Sequence, residues 1–191
     1  MTSPVENPGQ HPPRVVVLVG NPRPGSRTRR AGETVAELLT GRAPDTVLDL
    51  ADLGPALLGG GPDEAAEAVE DAVAQVRAAE LLVVASPTYK AAYTGLLKLF
   101  LDRFPAGDLV GTTAVPLMLG GDWRHSLAPE AFLKPVLAEI GASTPTRGLF
   151  LLDSDAGPDS AALADWLAAA RRQLPARLLD LDPAAQKAGA A

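Results

Sequence analysis

Three short stretches of the chain hold the residue types that could do chemistry. The first, Gly20-Asn21-Pro22-Arg23-Pro24-Gly25-Ser26-Arg27-Thr28, packs glycine, hydroxyls and arginine into one turn directly after an apolar run. A turn of this composition leading into a helix suits a phosphate, because main-chain N–H groups and the positive end of the helix dipole converge on the anion. Pro22 and Pro24 have no N–H to donate, so the expected donors are Arg23, Gly25, Ser26, Arg27 and Thr28. Ser26 and Thr28 add hydroxyls, and Arg23 or Arg27 can add a charge-assisted hydrogen bond. The same residues also fit an ordinary helix cap, with Ser26 at the N-cap position and Arg29 and Arg30 in solvent. The patterns GxxxxGK[ST] and GxGxxG are both absent, which argues against a nucleoside triphosphatase. With no carboxylate in the loop for Mg²⁺, a terminal phosphate monoester held without metal is the ligand it suits.

The second stretch is Ser86-Pro87-Thr88-Tyr89-Lys90-Ala91-Ala92-Tyr93-Thr94-Gly95. Pro87 stiffens it, and N–H groups near Thr88 and Tyr89 could meet the polar rim of a planar heteroaromatic ring resting against Tyr89. Tyr89 also reads simply as a half-buried loop aromatic. The third stretch, Leu119-Gly120-Gly121-Asp122-Trp123, sets two residues without side chains next to each other, which permits close approach of a flat ligand. His125 and Asp122 have no nucleophile motif beside them and read as structural rather than as parts of a triad. The chain has no cysteine, which excludes disulfides, thiol nucleophiles and cysteine-held clusters or zinc. Its two histidines, His11 and His125, are too far apart in the chain to suggest a histidine-rich metal centre, so no metal is expected.

The elements that must carry these stretches show in the hydropathy pattern. Runs of unbroken branched apolar residues at 14–20, 81–85 and 113–119 predict strands covered on both faces, with shorter candidates at 46–50 and 148–152. Pro116 weakens the run at 113–119 or falls where a ladder hydrogen bond is missing. Between the runs the period turns helical. Ala65, Ala68, Val69, Ala72, Val73 and Val76 form one apolar stripe, and Tyr93, Leu96, Leu97, Phe100, Leu101 and Phe104 form another. Ala31, Val35, Leu38 and Leu39 mark a first helix, 132–140 a fourth, and Leu163, Leu167, Ala170 and Leu174 a fifth, started by Pro158 and Asp159. Strand and helix alternate five times, which calls for right-handed crossovers and a doubly wound parallel sheet with helices on both faces. In such a sheet ligands bind at the carboxyl ends of the strands, where all three stretches fall. A chain of 191 residues fits one domain at 14–175, with a disordered tail at 1–13 and a mobile extension at 176–191. Seventeen basic against 23 acidic side chains leave a net charge of −6, which argues against broad nucleic-acid affinity. No apolar run approaches the ~20 residues of a membrane span, and no basic-then-apolar start suggests secretion, so a cytoplasmic protein is expected.

The residues also carry a family likeness. The chain resembles the NADPH-dependent FMN reductases, flavodoxin-like proteins, and among them the reductase components of two-component alkanesulfonate-type flavin monooxygenases. That family's first-loop pattern, Gly-Ser-Pro-Arg followed by a serine-rich helix start, stands here as Gly20-Asn21-Pro22-Arg23 with Ser26 and Thr28; Asn21 departs from the usual serine. The central stretch with Leu97-Lys98 and Leu101-Asp102 is similar to the family's P-x-Y and S-G-x-L-K elements, and Gly120-Gly121 followed by Phe132-Leu133-Lys134-Pro135-Val136-Leu137 continues the likeness.

The resemblance implies a five-stranded flavodoxin-like sheet in the order 2-1-3-4-5, with FMN bound through Asn21, Arg23, Gly25, Ser26, Thr28, Pro87, Thr88, Tyr89, Gly120, Gly121 and Asp122. NADPH or NADH would deliver hydride to the flavin with no catalytic side chain. From the residues' own chemistry rather than the resemblance, N–H groups near Thr88 and Tyr89 would stabilise the electron-rich reduced ring, and Arg27, Arg29 or Arg30 could contact the nicotinamide cofactor's phosphates, though three arginines at a helix start more often stand in solvent. A homodimer or homotetramer built on the helix 93–104 is implied, as is a flavin-dependent monooxygenase partner. Some of these reductases have a tyrosine forming a local π-bulge where this chain reads Glu130-Ala131-Phe132; its absence implies a different helix geometry there and a more tightly retained flavin. The alternatives are an FMN-bound quinone, azo or nitro-compound reductase, a flavodoxin-type electron carrier, and a flavin-free binding module.

Overall fold

In a computed structural model describing residues 11–60 and 62–179, five strands form one parallel sheet. The chain runs β1 (Val15–Val19), α1 (Arg27–Thr40), β2 (Thr46–Asp49), the short α2 (Leu50–Leu53), α3 (Asp63–Arg77), β3 (Leu81–Pro87), α4 (Gly95–Leu101), β4 (Thr113–Gly120), a π-helical turn (Pro129–Leu133) that continues into α5 (Lys134–Glu139), β5 (Leu149–Leu152) and α6 (Ala161–Ala170). The strand order is 2-1-3-4-5, as the resemblance implies. The five expected strands all form, with ends shifted by one or two residues.

The unbroken apolar runs are explained by burial on both faces. Successive strand residues point to opposite sides. Val15, Val17 and Val19 lie under Val35 and Leu39 of α1 and Leu163 and Trp166 of α6, whereas Val16 and Leu18 pack with Val69 and Val73 of α3, Phe100 of α4 and Leu137 of α5. Each such side chain contributes about 1.5–3 kcal/mol by leaving water. Pro116 is tolerated for a readable reason. Thr113 N donates towards β3, to Glu80 O, and Ala114 N donates the other way, to Ser143 O. The alternation turns the Pro116 nitrogen towards the β5 side, where the ladder begins only at Leu117 opposite Leu149.

Three helix expectations are corrected. The helix α4 is shorter than 93–104, because Thr94 caps it by accepting a hydrogen bond from Leu97 N and leaves Tyr93 outside the helical register. The cap of α6 is Ser160, not Pro158 or Asp159; its hydroxyl accepts from Leu163 N and donates to Asp155. The wide turn at Pro129–Leu133 forms without the tyrosine, against the expectation of a different geometry. Pro135 has no N–H for the Ala131 carbonyl one turn back, and Lys134 N reaches past it to Pro129 O. Glu130 then braces the turn, accepting from Lys134 Nζ at 2.8 Å and from Gly148 N at 2.7 Å.

At the other end of the chain, Ala176–Leu178 forms a 3-10 turn that buries Leu178 in the α1–α6 layer, so packed structure continues past Pro175. Residues 1–10 of the expected tail and 180–191 of the expected extension lie outside the described residues. No helix among the described residues is long and apolar enough to cross a membrane.

Candidate flavin site

Strand order reverses between β1 and β3, and the turns after these two strands meet there. Gly20 N donates to Ala85 O at 2.8 Å, holding the end of β1 on β3. A Cβ on Gly20 would lie 2.6 Å from Leu97 Cβ, so only glycine lets α4 pack this closely. Thr94 Oγ1 donates to Gly20 O at 2.5 Å, and Ser86 Oγ accepts from Thr94 N at 3.1 Å. These buried hydroxyls tie the first turn to the second.

The first turn is organised from within by Asn21. Its amide is almost fully buried; Oδ1 accepts from Arg23 N and Nδ2 donates to Thr28 Oγ1, each at 3.0 Å. Asp49, at the end of β2, accepts from Gly25 N at 3.2 Å and caps α2 through Ala51 N at 3.3 Å. Burial pushes the Asp49 carboxyl above its usual range, against the opposing pull of these two N–H groups. Sequence reading missed Asp49, since nothing in a β2 strand end announces a partner 24 residues back. Ser26 caps α1 by accepting from Arg29 N. Of the two readings the sequence left open for this turn, the cap forms.

This bonding trims the expected donor set. Arg23 N and Gly25 N already have protein acceptors, so they are not free for an anion. Ser26, Arg27 and Thr28 N–H make no protein hydrogen bond among the described residues. Ser26, Arg27 and Thr28 line a cavity of about 510 Å³ together with Asn21, Arg23 and Pro24, closed on the far side by Pro87, Tyr89 and Asp153. Asp153 was not anticipated, although it stands immediately after β5 at the same carboxyl rim.

The second turn also differs from expectation. Thr88 N donates to Leu119 O at 2.6 Å and Tyr89 N to Ala92 O at 2.8 Å, so neither N–H is available to a ring. Tyr89 and Ala92 close a two-residue hairpin whose central residues, Lys90 and Ala91, both have positive φ, 51° and 68°. That geometry normally demands glycine or asparagine, and each L residue held so costs about 1 kcal/mol or more. Among the described residues the N–H groups of Lys90 and Ala91 have no protein acceptor, and the buried Thr88 hydroxyl has no partner.

At the third turn, a Cβ on Gly120 would meet the Phe150 ring at 2.8 Å and Thr88 Oγ1 at 3.3 Å, whereas Gly121 faces open space. Close packing is the role of the first glycine, and an open approach is left by the second. Asp122 turns away to cap a short turn, accepting from Arg124 N at 2.8 Å and Arg124 Nη2 at 2.7 Å; that guanidinium holds its carboxyl below the usual range. Gly120, Gly121 and Asp122 do not line the 510 Å³ cavity.

The lining combines unpaired main-chain donors with a half-exposed tyrosine, a combination that fits a phosphate-terminated flat molecule. The family described as NADPH-dependent FMN reductase matches residues 13–157. The FMN reductase (NADPH) of Escherichia coli K12 is 37% identical over 147 residues, 74% of each chain. The NADH-dependent FMN reductase SfnF of Pseudomonas putida is 34% identical over 141 residues, 72% of this chain and 76% of the relative. Among solved structures, the apo form of the NADH:FMN oxidoreductase EMOB superposes with a TM-score of 0.73 at 34% identity, covering 89% of this chain and 91% of that one. With about three quarters of its length matched by the family model, this chain belongs to the NADPH-dependent FMN reductase family.

Proposed function

We propose that the protein transfers hydride from NAD(P)H to FMN, with the flavin phosphate on the N–H groups of Ser26, Arg27 and Thr28 and the ring beside Pro87, Thr88 and Tyr89, towards Gly120 and Gly121. The observation that carries this reading is the set of three unpaired donors at the head of a 14-residue helix, opening into the 510 Å³ cavity. Bound FMN supplies the hydride acceptor, so no side chain need act as an acid or base. The chain's own work is positional. Asn21 and Asp49 hold the phosphate loop in shape, the hydroxyls of Ser86 and Thr94 fix the second turn to it, and Lys90 and Ala91 carry the unpaired N–H groups left for the ring's polar rim. Asn21, Gly25 and Asp122 act through the loops they shape, since their hydrogen bonds go to protein partners, as does the main-chain N–H of Arg23.

NADPH and NADH oxidation followed with and without added FMN tests this reading. Turnover that depends on FMN and saturates with it is expected; a protein that neither binds FMN nor oxidises either nucleotide would overturn it. A monooxygenase partner fed with reduced FMN is the finer form of the proposal. It expects flavin to dissociate on reduction, whereas a firmly yellow protein turning over quinones would favour the bound-flavin alternative. A homo-oligomer is also proposed, supported by the exposed apolar Leu127 and Phe132 beside the π-helical turn and a groove of about 360 Å³ between α4 and α5. Light scattering that returns a monomer at micromolar concentration would remove it.

A further inference from the structure

We infer that Arg27 and Arg30 hold a phosphate of the nicotinamide dinucleotide in a second cavity beside the flavin phosphate, an inference that rests on the FMN reductase reading above. This cavity, about 390 Å³, has Arg27, Arg30 and Thr34 of α1 on one wall and Asp153, Ser154 and Gly157 of the loop after β5 on the other. It shares Arg27 and Asp153 with the 510 Å³ cavity. Hydride transfer brings two phosphate-bearing molecules together, and two cavities joined at one arginine can seat both.

The charges in the wall are arranged for an anion. Among the described residues neither guanidinium has a carboxylate partner: Arg27 Nη1 donates to Asp153 O and Arg30 Nη1 to Gly25 O, each at 3.3 Å. Their neighbour Arg29 is paired with Glu33 at 3.0 Å. A guanidinium resting on a carbonyl keeps its full charge and most of its five donors, in a planar fork that matches phosphate oxygens. Helix stability does not explain the arrangement. The two cations stand three residues apart in the first turn of α1, at the positive end of its dipole, and that turn contains no acidic residue; both features are unfavourable. The one carboxylate in the wall, Asp153, can accept from ribose hydroxyls but not from a phosphate.

Arg30→Gln is the test, because it removes a cation from the helix start without endangering folding and leaves the N–H groups of the flavin cradle intact. In FMN-saturated protein, calorimetric titration with NADP⁺ and NAD⁺ reads dinucleotide affinity, and steady-state rates give KM and kcat for NADPH and NADH. Loss of one charge-assisted contact is expected to weaken NADP⁺ about tenfold or more and raise the KM of NADPH by a similar factor, with the FMN Kd from fluorescence quenching unchanged. A change confined to the phosphorylated nucleotide assigns the 2′-phosphate, and an equal change for both assigns the bridging diphosphate; either supports the inference. Unaltered dinucleotide affinities, or an FMN Kd that weakens in step, would overturn it. Wild-type protein that reduces no FMN with either nucleotide is a different result, which sinks the functional reading instead.

Discussion

A phosphate cradle made of main-chain N–H groups cannot be emptied by trimming side chains, so its test must act on the backbone. Arg27 is the first residue of α1, a position where proline fits the helix and removes only a donor. Arg27→Pro should weaken FMN about tenfold beyond Arg27→Ala, a difference read by flavin fluorescence; equal Kd values would show that the side chain, not the N–H, holds the flavin. At the strained hairpin the direction reverses. Ala91→Gly relieves a positive φ of 68° and should stabilise the protein by about 0.5–1 kcal/mol in urea unfolding, the left-handed penalty less the extra chain entropy of glycine. Asp49 gives a pH signature. Its folded carboxyl sits above the usual range because it is buried, so the native state holds the proton more readily than the unfolded chain. Stability therefore falls as pH rises from the ordinary aspartate pKa through the raised folded value. Asp49→Asn, which keeps an acceptor for Gly25 N, should flatten that stretch of a Tm-against-pH curve.

Among the elements, the π-helical turn most clearly depends on contacts distant in sequence. Pro135 disrupts the ordinary register locally, but Glu130 holds the result by reaching Gly148, 18 residues on. Burial opposes ionisation of Glu130, yet the hydrogen bonds from Lys134 and Gly148 N prevail and keep its carboxyl below the usual range. Its contribution is thus present above the ordinary glutamate pKa and lost as pH falls through the lowered one. Glu130→Ala leaves Gly148 N without its acceptor and should cost about 1–2 kcal/mol, with faster amide exchange across 129–134 and no change in FMN affinity. Unaltered exchange would mean that Pro135 alone maintains the wide turn. The same division between local and distant causes governs the other helices: the stripe at Ala65 to Val76 was readable because all its determinants lie in one helix, whereas the short α2 and the 3-10 turn at Gly54–Leu58 carry too little periodic signal to register.

For the molecule as a whole, net charge and local charge have opposite signs. The chain carries −6 overall, yet Arg23, Arg27 and Arg30 stand around the two rim cavities. A doubly charged phosphate approaching that rim meets attraction inside a repulsive envelope, and at 0.1 M salt the pull of the rim is largely screened beyond about 10 Å. Stopped-flow association of FMN should slow several-fold between about 20 and 200 mM salt; a flat or rising rate would mean that the envelope, not the rim, governs encounter.

From the linear chain, one could determine that strands with no polar alternation must be covered on both faces, that helices must intervene, and that ligand chemistry must gather where the strands end, because hydropathy period and glycine placement are properties of neighbouring residues. Family motifs added the strand order and the identity of the bound dye. Which donors remain unpaired was decided only by folding. Asn21 and Asp49 capture Arg23 N and Gly25 N, Leu119 and Ala92 carbonyls capture Thr88 N and Tyr89 N, and Asp153, just after β5 and more than 120 residues along the chain from the first turn, joins the cavity lining. A hydrogen bond is settled by three-dimensional proximity, and residues far apart in the chain bear no mark of the partner that packing will bring them.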